Sequence, residues 1–122
     1  MENNKVLVVE DNELNMKLVE VLLKIGNYEV IEAIDAERGI QLAREHEPNL
    51  ILMDIQLPGM NGLSAIKKIK NDDALKNIPV VALTSCAMAG DKDKAMKAGC
   101  IDYITKPIDT RIFLESISPY LN

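Results

Sequence analysis

Five polar residues, at four places far apart in a chain of 122, stand at the ends of apolar runs. Glu10 and Asp11 follow KVLVV, Asp54 follows LILM, Thr84 closes VVALT and Lys106 follows CIDYIT. Taken singly, each has an ordinary explanation as a cap, a turn residue or a surface charge, and Asp54 ahead of a Pro-Gly turn fits a helix N-cap or turn-forming aspartate. The alternative is chemical. A carboxylate at the tip of a strand buried on both faces, with a turn opening beside it, is a reactive group held at a sheet edge. Three acids, a hydroxyl and an ammonium at four strand ends are harder to reduce to caps and surface charges than any one of them alone.

The elements that must position these residues alternate regularly. Lys5–Glu10 is a β-branched apolar run, and Leu14, Leu18, Val21, Leu22 and Ile25 then recur at helical spacing. Gly26 and Asn27 stop that helix, and YEVIE (28–32) alternates as a more exposed strand. Asp35 caps a second helix to about Glu45, and Pro48 breaks the chain before the strand 49–53. Gly62 opens a third helix with Leu63, Ile66 and Ile69 inward and Lys67, Lys68 and Lys70 outward. IPVVALT, the segment 90–98, CIDYIT and DTRIFLESISPYL supply strand 4, helix 4, strand 5 and helix 5, with Pro119 depriving the last helix of one late hydrogen bond. Five β/α units imply a mostly parallel, doubly wound sheet with helices on both faces, and ligand chemistry belongs at the carboxyl ends of its strands. The five polar residues collect at that end.

Composition sets the outer limits. At 48% apolar, 122 residues make one domain, 1–122, with a real core. No run approaches the roughly 20 apolar residues of a membrane span, and MENNK lacks a secretory layout, so the expected location is cytoplasmic, with no membrane partner. Cys86 and Cys100 show neither paired spacing nor a disulfide-dense background and read as small core or loop thiols. A net charge of −5 with three Tyr and one Phe offers no platform for nucleic acid. His46, the one histidine, is accounted for as a cation near a helix C-terminus.

VVEDN, MDIQLPGMNG, ALTS and the Lys106-Pro107 pair together resemble the response regulator receiver domain of two-component signalling, from about Lys5 to Leu121. The resemblance implies a flavodoxin-like (βα)5 fold with a five-stranded parallel sheet in the order 2-1-3-4-5. It implies that Asp54 is the phosphoacceptor, that Asp11 and Asp54 ligate Mg2+ (or Mn2+), that Gln56 adds a backbone carbonyl, and that Glu10 reaches the metal through water. Converging carboxylates repel one another, and a small hard cation with oxygen ligands relieves that repulsion. Lys106 and Thr84 would stabilise the phosphoryl group, Thr84 and Tyr103 form the switch pair, Pro107 is the cis proline, and Gln56, Ser85 and Cys86 tune access to the site. The implied donor is a histidine kinase or histidine phosphotransfer protein. The expected output is contact between helix 4, strand 5 and helix 5 and a protein partner, with no output domain expected after Asn122. Such a module is not an enzyme, although it assists its own phosphorylation and dephosphorylation.

Three alternatives stay open beside that assignment. The VEDN wording fits equally a receiver excised from a hybrid histidine kinase or larger regulator. A Mg2+-dependent aspartyl phosphohydrolase would need a second acid two residues after the nucleophile, where Gln56 stands and cannot donate the proton. A flavin-binding domain would need a phosphate-cradling loop after strand 1, where EDNELN is acidic and lacks glycine.

Overall fold

The structure is a computed structural model that describes residues 4–56, 62–84 and 89–121. Elements follow in strict alternation: β1 (Lys5–Val9), α1 (Glu13–Ile25), β2 (Glu29–Ala33), α2 (Ala36–His46), β3 (Leu50–Asp54), α3 (Gly62–Lys70), β4 (Val80–Thr84), α4 (Ala89–Ala98), β5 (Asp102–Thr105) and α5 (Phe113–Ile117), with a 3-10 turn at Ser118–Tyr120. All strand pairs are parallel and the sheet order is β2-β1-β3-β4-β5, the doubly wound arrangement expected from the alternation and the resemblance.

Successive side chains of a strand point to opposite faces, so a central strand feeds two cores. Leu7, Val9, Ile51, Met53, Val80 and Ala82 pack with residues of α2, α3 and α4 on one face. Val6, Val8, Leu50, Leu52, Val81 and Leu83 pack with α1 and α5 on the other. β3 and β4 are therefore buried along their whole length, and the tip of β3 is held from both sides. Local signals set the helix ends. The Asn12 side chain accepts from the Asn15 N–H at 3.0 Å and that of Asp35 from the Arg38 N–H at 2.8 Å. Asn27 and Glu47 take positive φ just beyond the ends of α1 and α2.

Three expectations need correction. Of the five apolar residues that mark α1, only Leu22 is buried; the core-facing set is Met16, Val19, Leu22 and Leu23, while Leu14 is 81% and Ile25 66% exposed. The helix carries two apolar stripes, and the sheet takes the other one. Helix 5 is shorter than the segment DTRIFLESISPYL. The Asp109 carboxylate accepts the Arg111 N–H at 3.0 Å in a turn ahead of α5, and the helix gives way to a 3-10 turn containing Pro119. Lys70 is not simply a solvated lysine. Its Nζ donates to the carbonyls of Lys76 at 3.2 Å and Ile78 at 2.8 Å, tying the end of α3 to the connection into β4, and burial lowers its pKa. Cys100 is a buried, unpaired thiol whose pKa burial pushes up to about 11; Cys86 lies outside the described residues. No helix among the described residues is long and apolar enough to cross a membrane.

Candidate functional site

Register brings the strand tips together. Val9 pairs with Met53, so the next residues, Glu10 and Asp54, end side by side on adjacent strands. Asp54 pairs with Leu83, and Thr84 with Thr105, which steps Thr84 and then Lys106 one residue further along the same edge. Among the described residues the buried polar or charged side chains are Glu10, Asp54 and Thr84, at 1%, 3% and 2% exposure, and all three stand at this end of the sheet.

Two buried carboxylates are costly unless something neutralises them. Lys106 does so: its Nζ lies 2.5 Å from Glu10 Oε1 and 2.8 Å from Asp54 Oδ2. The remaining oxygens take backbone donors, Asp54 Oδ1 from the Gln56 N–H at 2.8 Å and Glu10 Oε2 from the Asn12 N–H at 3.2 Å. Asp11 is exposed at the rim. One carboxylate oxygen from each of Glu10, Asp11 and Asp54 lies within 4.8 Å of the others. In an octahedron with bonds of about 2.1 Å, ligand oxygens stand about 3 to 4.2 Å apart, so this hard-oxygen set fits Mg2+ after small adjustments.

Of the other residues singled out in the sequence, Gln56 is exposed beside Asp54. Tyr103 is half-buried against the α2–α3–α4 core, and the Lys106–Pro107 peptide bond is cis. Ser85 and Cys86 lie outside the described residues. Sequence reading missed the Lys106–Glu10 bridge and the two backbone donors. It also missed the closeness of Gly62, where an added Cβ would stand 2.3 Å from the Asp54 carbonyl oxygen. A glycine as the first residue of a helix, where almost any other residue is the better helix former, was the one available signal of that contact.

Burial, followed by the neighbouring Asp54 carboxyl, pushes the Glu10 pKa up to about 7, with Lys106 opposing the rise. For Lys106, burial alone would lower the pKa, but the hydrogen bonds with Asp54 and Glu10 outweigh it and the net shift is upward. Native Glu10 thus holds its proton more tightly than the unfolded chain, whose value is 4.5. Unfolding releases that proton, so the contribution of Glu10 to stability is present in full below pH 4.5 and is lost as pH rises towards 7. Metal-free protein is expected to lose on the order of 2 kcal/mol over this window, measured by urea unfolding at fixed ionic strength. Saturating Mg2+ should shrink the loss, because a bound dication favours ionised Glu10. A flat or rising profile without metal would mean that the bridge to Lys106 dominates the burial of Glu10.

A family model for the response regulator receiver domain matches residues 6–118. The polar-differentiation response regulator DivK of Brucella anthropi is 50% identical over 116 residues, which is 95% of this chain and 94% of that protein. Among solved structures, the receiver domain of the sensor histidine kinase PA1611 from Pseudomonas aeruginosa, with a magnesium ion coordinated in its active-site cleft, gives a TM-score of 0.90 at 29% identity and covers 98% of both chains. The co-crystal structure of the Saccharomyces cerevisiae phosphotransfer protein Ypd1 with the receiver domain of Ssk1 gives 0.88 at 29% identity, covering 97% of this chain and 88% of that one. Sheet order, the acids at the strand tips and a family match that runs almost from end to end agree: the chain belongs to the response regulator receiver domain family of two-component signalling.

Proposed function

We propose that the chain accepts a phosphoryl group on Asp54 from a histidine kinase or histidine phosphotransfer protein, with Mg2+ held by Asp11, Asp54, the Gln56 carbonyl and, through water, Glu10. The observation that carries this is the buried pair of carboxylates, Glu10 and Asp54, bridged by one ammonium at the ends of β1, β3 and β5. An Asp54 carboxylate oxygen attacks the phosphorus, and the bond from phosphorus to the donor nitrogen breaks. β3, buried on both faces, holds the nucleophile rigid, which supplies the orientation such an attack requires. Lys106 offsets charge on the transferring oxygens, and Thr84, at the tip of β4, donates to one of them. When bound, Mg2+ supplies further charge neutralisation at the same oxygens.

The output belongs to the α4–β5–α5 face. Met96, Ile101 and Ile112 are exposed there at 42%, 47% and 52%, and Ile112 lines a groove of about 430 Å³ together with Asp102, Tyr103, Ile104, Pro107 and Asp109. Phosphorylation draws Thr84 towards the phosphoryl group and Tyr103 inward, and the difference in partner affinity between the two forms drives the switch.

The test is intact mass after incubation with Mg2+ and acetyl phosphate. One labile phosphoryl group should appear on the native chain, require Mg2+, and be absent from Asp54→Asn. Addition that persists in Asp54→Asn would move the acceptor elsewhere. No addition to folded, Mg2+-loaded protein from either acetyl phosphate or a phosphorylated phosphotransfer protein would refute the acceptor role.

A further inference from the structure

Lys106 does more in this site than stand beside the nucleophile. It arises after β5, at the edge of the sheet, and its ammonium crosses β4 to reach the tips of β3 and β1. There it binds one oxygen of each carboxylate, while the backbone amides of Gln56 and Asn12 take the other two. All four carboxylate oxygens of Glu10 and Asp54 are therefore engaged within the chain, and the lysine side chain is only 12% exposed. Among the described residues, no buried side-chain nitrogen or oxygen lacks a hydrogen-bond partner. The closed arrangement depends on the length of Glu10. An aspartate at this position would withdraw its carboxylate by about one carbon–carbon bond, roughly 1.5 Å, and leave the lysine with Asp54 alone.

We propose that Lys106 is the resident cation of the site and competes with the divalent ion for Glu10 and Asp54, so that this lysine sets the metal affinity of the chain. The inference rests on the proposed function, in which the same carboxylates take Mg2+. An ammonium already lodged between two carboxylates repels an incoming dication and occupies oxygens that the ion or its waters would use. Measured metal affinity is then net of drawing Lys106 away from at least one partner. Removing the lysine acts twice in the same direction: the competitor goes, and two carboxylates lose the charge that neutralised them. Glu10 is the partner more readily surrendered, because it meets the metal through water. A lysine freed from Glu10 is left with Asp54, the carboxylate at which the phosphoryl group arrives.

The experiment is Mn2+ binding to the purified chain, read from the free-ion EPR signal and made without any phosphodonor. Lys106→Met should bind Mn2+ about tenfold more tightly than the native chain. Lys106→Arg, which keeps the charge, should stay within about twofold of native. In a Glu10→Gln background the gain from Lys106→Met should shrink, since the lysine then has one carboxylate to contest. Equal or weaker Mn2+ binding by Lys106→Met, beside a native chain that binds, overturns the competition and leaves the receiver chemistry standing. No Mn2+ binding by any of these chains overturns the metal assignment itself. Should Lys106→Met fail to fold, the native chain carries the test alone. The 15Nζ resonance of Lys106 should shift in step with Mg2+ occupancy, and a resonance that stays in place at saturation refutes the proposal.

Discussion

Gly62→Ala should destabilise the protein by about 3 kcal/mol and slow phosphoryl transfer to Asp54, although alanine is ordinarily the better helix former. The reason is where the new methyl group would stand. A Cβ at this position lies 2.3 Å from the Asp54 carbonyl oxygen and 2.4 Å from the Ile55 Cα, and both are backbone atoms that no rotamer change can move aside. Asp54 is pinned by its pairing with Leu83 in the buried centre of the sheet. The strain must then be relieved by shifting the start of α3, which the Gly62 N–H ties to the Ile55 carbonyl at 3.3 Å, or by moving Asp54, the proposed acceptor. Either response disturbs the geometry on which in-line attack depends. Urea unfolding gives the stability and the rate of acetyl phosphate labelling gives the transfer. A Gly62→Ala chain as stable as the native one would show that α3 moves away from β3 at little cost.

That contact marks a boundary in what the amino-acid sequence discloses. β1, β3 and β4 announce themselves as apolar runs because burial on both faces leaves no alternation to confuse, and the polar residues that end those runs are conspicuous for the same reason. The candidate site was legible to that extent. Its internal bonding was not: Lys106 and Glu10 are 96 residues apart, and only the sheet order brings them together. The amides of Asn12 and Gln56 carry no sequence signature at all, since every non-proline residue offers one. α1 misleads for a different reason. Leu14, Leu18, Val21 and Ile25 form one helical stripe and Met16, Val19, Leu22 and Leu23 another, and periodicity cannot say which of two stripes meets the sheet. In the last helix, local turn chemistry at Asp109 and the missing N–H of Pro119 outweigh an apolar spacing that by itself would extend it.

The shortness of α5 concentrates its attachment in a few side chains, and Phe113→Ala should cost about 3 to 5 kcal/mol. Phe113 is the one phenylalanine and is 1% exposed, packed in the core that also holds Val8, Leu23, Leu52 and Leu83. A five-residue helix with no side-chain cap at its N-terminus contributes little stability of its own, so its position is set by Phe113 and Ile117, both buried. One further tie, the Tyr120 hydroxyl donating to Asp102 Oδ2 at 2.9 Å, joins the terminal turn to the start of β5. It is half exposed to solvent competition and cannot replace a lost aromatic ring. Truncation should therefore loosen α5 and the proposed partner face before it loosens the sheet. Hydrogen exchange should accelerate first at residues 113–121, whereas β1, β3 and β4 should stay protected until global unfolding. Phe113→Leu, which keeps most of the volume, should lose only about 1 kcal/mol. If Phe113→Ala instead lowered the protection of α5 and the central strands together, α5 would be part of one cooperative unit with the sheet, and a partner bound at that face would be coupled to Asp54, the proposed acceptor, through the whole core rather than through the proposed Thr84–Tyr103 pair.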